Sequence, residues 1–215
     1  MPTSLLLPSL LSMLAVQGID EGDMRLALPG ARTLPEDPRG EPQVTFILGG
    51  VAARLGPHQI LSQGLAGQDE LINFDAVLHP GQAETAIWLT LGRFLTVSAR
   101  RLIDKIDKGT LIDTGLADLR RRNAALEAEL ARHAGLKVEH RLAALILNMH
   151  DLGGGDVLGL RQSDLADLMQ VRRASVSSAC NALSDARAIR LRRGAIEIVD
   201  PDILRRIIER SVTPP

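Results

Sequence analysis

Between Lys108 and Gly135 the apolar positions advance by alternating steps of four and three: Ile112, Leu116, Leu119, then Asn123, Leu126, Leu130 and His133. That is the heptad of a coiled coil, with Leu116, Asn123 and Leu130 at a, and Ile112, Leu119, Leu126 and His133 at d. The pattern predicts a long helix over 109–136 whose seam takes a second copy of the chain. A lone Asn at an a position fixes register and favours two parallel strands. In this frame Arg122 at g faces Glu127 at the partner's e position, a pair that orients the helices more than it stabilises them.

A shorter set of periods follows. Leu165, Leu168 and Met169 share one face of a short helix, and Gln170-Val171 breaks it. Val176, Ala179, Cys180 and Leu183 then recur at i, i+3, i+4 and i+7, a second helix. Next comes alternation: Ile189, Leu191, the turn Arg192-Arg193-Gly194, then Ile196 and Val199, two short strands. Helix, turn, helix and hairpin make a winged helix-turn-helix. Glu139–Leu152 precedes it as another helix, with Leu142, Leu145, Ile146 and Met149 inward. Gly135 reads as a hinge and Gly153-Gly154-Gly155 as a flexible turn. No Gly-Lys-Ser/Thr follows that turn, so it is no phosphate loop. Asp200-Pro201 caps a last helix, Asp202–Arg210.

The first half follows period two. An amphipathic helix near Pro8–Val16 leads into the Gly- and Pro-punctuated stretch LPGARTLPEDPRGEP. Short strands are expected at Val44–Leu48, Val51–Leu55, Ile60–Leu61, Ala86–Leu91 and Phe94–Val97, with turns at Gly49-Gly50, Gly56-Pro57 and Pro80-Gly81. An antiparallel roll or small barrel fits best. The fold class is α+β: an N-terminal antiparallel β-roll over 1–108, the dimerisation helix over 109–136, and a C-terminal winged helix-turn-helix over 137–215.

Charge sharpens the division. The whole chain of 215 residues carries −1. From Arg172 to Gly194 six arginines meet one acid, Asp185, whereas residues 1–100 hold ten Asp or Glu against six Arg. A basic face on a near-neutral chain is an electrostatic footprint for phosphate. A single Cys excludes a disulfide framework or a four-thiolate cluster within one chain. Cys180 falls on the apolar side of its helix, as a buried thiol does. His58 and His79 are isolated, so a cupin-type metal site and a haem ligand lack support. With no Tyr, three Phe and one Trp, stacking of bases on aromatics is an unfavoured mode. The Leu-rich opening lacks a basic n-region and is too short to span a bilayer, which makes the cytoplasm the expected location. No paired nucleophile and base is found, so an enzyme is not expected, nor any cofactor or metal.

The C-terminal residues resemble the Crp–Fnr superfamily of bacterial transcription regulators. The resemblance rests on Leu160, Gln162, Asp164-Leu165-Ala166, the turn at Gln170-Val171, Arg173, Ser175-Val176-Ser177, Leu183 and the wing Ile189–Val199. In that family the recognition helix opens Ser-Arg-Glu-Thr-Val, where this chain has Arg172-Arg173-Ala174-Ser175-Val176. The resemblance makes Arg173 the reader of guanine O6 and N7 and Ser175 the phosphate-contacting hydroxyl. The departures are several. Ala174 replaces a base-reading glutamate, Ser178 an arginine, and Gln170 the turn glycine. Arg161 and Arg172 stand where hydroxyl residues usually cap, at a cost of roughly 1 kcal/mol each.

Upstream, QVTFILGGVAARL and AETAIWLTLGRFLTVSARRLIDKI resemble the family's effector domain, a jelly roll. Members that bind cyclic nucleotides carry Gly-Glu-Leu and later Arg-Ser/Thr-Ala. The nearest stretches here are Asp69-Glu70-Leu71 and Glu84-Thr85-Ala86. An acid thus stands for the phosphate-binding arginine, and two like charges about 4 Å apart repel by roughly 4 kcal/mol near a surface.

The expectation is a homodimer on a palindromic operator, acting without cyclic AMP. Arg173, Arg172, Ser177 and Ser178 are the candidate base readers, and Ser175, Arg192 and Arg193 the phosphate contacts. Ile112, Leu116, Leu119, Asn123, Leu126 and Leu130 would form the dimer interface. Partners are double-stranded DNA and a second copy, with RNA polymerase a further candidate and no membrane. Two alternatives stand beside this reading: a regulator gated by another effector in the roll, and a protein-interaction module whose winged helix no longer reads DNA.

Overall fold

A computed structural model describes residues 24–55, 62–79 and 83–212. The helix expected near Pro8–Val16, the strand at Ile60–Leu61, and the turns at Gly56-Pro57 and Pro80-Gly81 lie outside them. The chain divides into two compact units, 1–126 and 127–215. Among the described residues no helix is long and apolar enough to cross a membrane.

The first unit is built on two antiparallel sheets. Strands β1 (Arg25–Ala27), β2 (Gln43–Gly49), β3 (Ala52–Leu55), β4 (Ser62–Ala66) and β5 (Leu71–Ile72) precede a one-turn helix, α1 (Asp75–Leu78). β6 (Thr85–Trp88), β7 (Gly92–Ser98) and helix α2 (Ala99–Lys105) follow. One sheet has the order β1-β7-β2-β5 and the other β4-β3-β6. β2 is apolar on both faces because it lies between two cores. Val44 and Phe46 join Phe74, Leu95, Leu102 and Leu111 in one cluster. Ile47 joins Ala52, Ile72, Ala86 and Trp88 in the other. Trp88 lies against the bare backbone of Gly92, where a Cβ would meet its ring at 2.3 Å. The strand expected over Ala86–Leu91 therefore stops at Trp88. Leu89 and Thr90 turn the chain instead, and Thr90 Oγ1 accepts the Val51 N–H at 2.8 Å.

Helix α3 runs unbroken from Lys108 to Gly135. Asp107 Oδ1 accepts the Thr110 N–H at 2.9 Å near its start. Inward on the roll it presents Leu111, Thr114 and Asp118, all buried. At Gly115 it comes so close that a Cβ would lie 2.7 Å from Leu78 Cδ1. The heptad positions Ile112, Leu116, Leu119, Leu126 and Leu130 are 38–68 % exposed. Arg122, expected to meet a partner's Glu127, instead turns into the roll and binds Asp75. Intrachain carboxylates lie within its reach, and heptad lettering takes no account of them.

The second unit holds α4 (Val138–Met149), a wide turn at His150–Gly154, β8 (Val157–Leu158), α5 (Gln162–Met169), α6 (Arg173–Asp185), the hairpin β9 (Ile189–Arg192) and β10 (Ala195–Ile198), and α7 (Pro201–Val212). The helix expected to reach Leu152 ends at Met149, with Gly153 at φ 89° inside the turn. Its core takes most of the inward set read from the periods: Leu142, Ile146, Met149, Leu165, Met169, Val176, Ala179, Cys180, Leu183, Ile189 and Ile196 are buried, whereas Leu145, Leu168 and Leu191 are half-buried and Val199, past the end of β10, is exposed.

Candidate DNA interface

Helix α5 begins at Arg161, whose side chain supplies no cap; its backbone N–H is taken by Asp164 Oδ2 at 2.7 Å. The helix ends on Gln170, a non-glycine in the left-handed region (φ 54°, ψ 45°). That conformation turns the chain within two residues, so α6 starts at once. Arg172 at its N-cap likewise offers no side-chain oxygen. Val176, Ala179, Cys180 and Leu183 bury one side of α6, which leaves the other in water. Arg172, Arg173, Ala174 and Ser178 are exposed there, and Ser175 and Ser177 are half-buried. Asn181 is exposed too, at i+8 from Arg173 and i+4 from Ser177. The core period of α6 marks its complement as a solvent face, so continuing the spacing 173, 177 would have found Asn181. Burial pushes the Cys180 thiol up to about 11, the state of an inert side chain.

The wing stands close to the start of α6. Its strands pair Arg192 with Ala195 across the turn, where Gly194 takes φ 74°. Glu197 on β10 collects two of the wing's cations: Arg190 Nη1 at 3.0 Å and Arg192 Nε at 2.8 Å. The hydrogen bond from Arg192 holds the Glu197 carboxyl below its usual range. Arg173 and Arg193 have no ion-pair partner among the described residues. Between the start of α5, the start of α6 and the wing lies a cleft of about 680 Å³, lined by Arg161, Gln162, Ser163, Arg173, Arg192 and Arg193 among others. No carboxylate lines it. Arginines that converge on a cleft free of carboxylates make a surface for phosphate, with Arg192 alone among Arg173, Arg192 and Arg193 held by an acid, Glu197 behind it. The structure thus brings together Arg173 with Arg192 and Arg193, and adds Arg161.

The roll answers the question left by Glu70 and Glu84. Both face Arg54 of β3, which is 1 % exposed. Arg54 Nη1 donates to Glu84 Oε1 at 2.8 Å, and Nη2 lies 3.5 Å from Glu70 Oε2 and 4.0 Å from Asp118 Oδ1. Burial alone would lower the Arg54 pKa, but the carboxylates of Glu84, Asp118 and Glu70 more than offset it and hold it above the ordinary value. The Glu70 pKa is raised as well, but here burial is the cause, opposed by Arg121 and Arg54. No local pattern in the sequence marks Arg54, because its partners are far along the chain.

Residues 140–207 match the family described as the Crp-like helix-turn-helix domain. The C-terminal domain is a Crp-like helix-turn-helix domain. Over most of its length the chain has the fold of Crp–Fnr regulators. It superposes on two transcriptional regulators of that family from Thermus thermophilus, each with TM-score 0.66. One is 19 % identical, over 86 % of this chain and 98 % of the other. The second is 16 % identical, over 88 % and 98 %. FixK2 from Bradyrhizobium japonicum follows the same path at 14 % identity and TM-score 0.62, over 86 % of this chain and 96 % of its own. No curated protein sequence matches the chain. In the Crp-like domain, α6 is the second helix of the helix-turn-helix, and the arginine cleft lies beside it.

Proposed function

We propose that this chain is a sequence-specific transcription regulator of Crp–Fnr type, binding double-stranded DNA as a homodimer without a cyclic nucleotide. One observation carries the reading: Arg173 heads the exposed face of α6, without an ion-pair partner among the described residues, at a cleft of arginines that no carboxylate lines. Arg173, with Arg172, Ser177 and Ser178, is assigned to base edges in the major groove. Asn181 joins them, since an amide side chain reads adenine as arginine reads guanine. Ser175, Arg192 and Arg193 are assigned to phosphates.

The exposed stripe Ile112, Leu116, Leu119, Asn123, Leu126 and Leu130 supports the homodimer, because heptad spacing with one polar a position suits a parallel pair. Two such domains would read half-sites about 34 Å apart on an imperfect palindrome. Independence from cyclic nucleotide is supported by charge. Around Arg54 three arginines (54, 121, 122) meet four carboxylates (Glu70, Asp75, Glu84, Asp118), so the place is occupied by salt bridges and is net acidic.

Selection of duplexes from a random pool by the purified chain, followed by binding at several salt concentrations, tests the reading. Enrichment of an inverted repeat, bound with a steep salt dependence and unchanged by cyclic AMP, is expected. Equal binding to all duplexes would overturn sequence-specific recognition.

A further inference from the structure

We propose that the ion cluster around Arg54 sets the rotation of α3 on the roll, and thereby selects which α3 side chains face a second copy of the chain. The proposal rests on the homodimer reading above. Asp118, Arg121 and Arg122 form one stripe of α3 at i, i+3 and i+4. Their partners come from four places on the roll: Arg54 on β3, Glu70 before β5, Asp75 at the head of α1 and Glu84 before β6. Arg121 Nε lies 3.3 Å from Glu70 Oε1, and its Nη2 bonds Asp118. Arg122 Nη2 donates to both oxygens of Asp75, at 2.8 and 2.9 Å, while its Nε lies 3.0 Å from Asp118 Oδ2. Glu84 is itself anchored, accepting the Asn73 N–H at 2.8 Å and donating its own N–H to Asn73 Oδ1 at 2.8 Å.

Such a cluster is a poor source of stability, because desolvating the charges costs about what their attraction returns; its best-attested use is to fix register. Apolar contact is non-directional. Leu111 and the close approach at Gly115 hold α3 against the roll and block large rotations, since a side chain would collide with Leu78 there, but smaller rotations are left open. Hydrogen bonds between guanidinium and carboxylate weaken steeply off their axis, so the cluster defines the angle. Successive helical residues lie about 100° apart. Asp118 is followed by Leu119, and Arg122 by Asn123, so the seam lies about a quarter turn from the cluster. A slip by one residue would carry the seam away from the partner and leave buried charges unpaired.

Cross-linking reads the rotation directly. Leu119→Cys or Arg120→Cys is introduced into the full chain, whose sole other cysteine is the buried Cys180, and disulfide-linked dimer is followed under mild oxidation. With the cluster intact, Leu119→Cys cross-links at least tenfold faster than Arg120→Cys. Adding Arg122→Gln brings the two rates within about twofold, and Arg122→Lys restores most of the difference. Asp75→Asn, at a side chain 38 % exposed, moves the ratio the same way in a protein whose fold is not at risk. A ratio unchanged in both variants overturns the proposal, even if their melting temperatures fall, because a merely structural cluster would lower stability without changing the cross-linking preference. A native chain that sediments as a monomer would instead overturn the homodimer reading, and the proposal with it.

Discussion

Arg54 and Glu84 are diagonal neighbours across the β3–β6 ladder, where Arg54 pairs with Ala86, and their side chains meet at 2.8 Å inside the roll. Removing the cation leaves four carboxylates (Glu70, Asp75, Glu84, Asp118) to two arginines, Arg121 and Arg122, and takes from Glu84 its shortest ion pair. Arg54→Met, which keeps much of the volume, is expected to destabilise the protein by about 3–5 kcal/mol, the cost of breaking a buried pair on one side. Urea unfolding followed by far-ultraviolet circular dichroism checks it; a loss under about 1 kcal/mol, the value of an exposed pair, would show the cluster to be weakly coupled.

Glu70 sits in the same cluster with its pKa raised by burial. A carboxyl of this kind holds its proton more tightly folded than unfolded. Its contribution to stability is complete below the ordinary carboxylate range and is lost as pH rises through the raised value. Glu70→Gln, a mimic of the protonated form, should flatten this part of the stability profile. Melting temperatures across the mildly acidic range decide; an unaltered slope in the variant would point to another group.

On the DNA side, Arg173→Ala should cost about 1–3 kcal/mol at the selected operator and relax preference at one base pair. Arg193→Ala should weaken all duplexes alike and reduce the salt slope by about one. Binding isotherms on single-base operator variants distinguish the roles, and exchange of the two signatures would reverse the assignment.

Glu197 ties Arg190 and Arg192 to the wing. Glu197→Gln should release both, tightening random-duplex binding several-fold and steepening its salt dependence. Fluorescence anisotropy with a random duplex measures this. Unchanged affinity would mean that the two arginines already reach phosphate while paired.

Gln170 holds a left-handed conformation that suits glycine. Gln170→Gly should raise stability by up to about 1 kcal/mol, the strain relieved less the added freedom of the unfolded chain. Chemical denaturation tests the sign.

The sequence by itself determined the long helix and the C-terminal domain, in the latter down to most of the residues that face inward. Leu165, Met169, Val176, Cys180 and Leu183 lie within a few turns of one another, and a periodic stripe must be buried wherever such helices pack. It also marked the acid at Glu84. The tertiary structure alone decided what that acid does. Arg54, Glu70, Asp75 and Glu84 are scattered along the chain, and no period links them to one another or to the stripe Asp118, Arg121 and Arg122. β1, β4, β5, α1 and β8 were missed for a related cause: each is short, and SQGLA has one large apolar residue, so contact with neighbours forms them rather than their own pattern. The pairing of Arg122 shows the limit most directly. Its heptad letter pointed outward, but charge pairs with whatever opposite charge the fold brings near, and the fold brought Asp75.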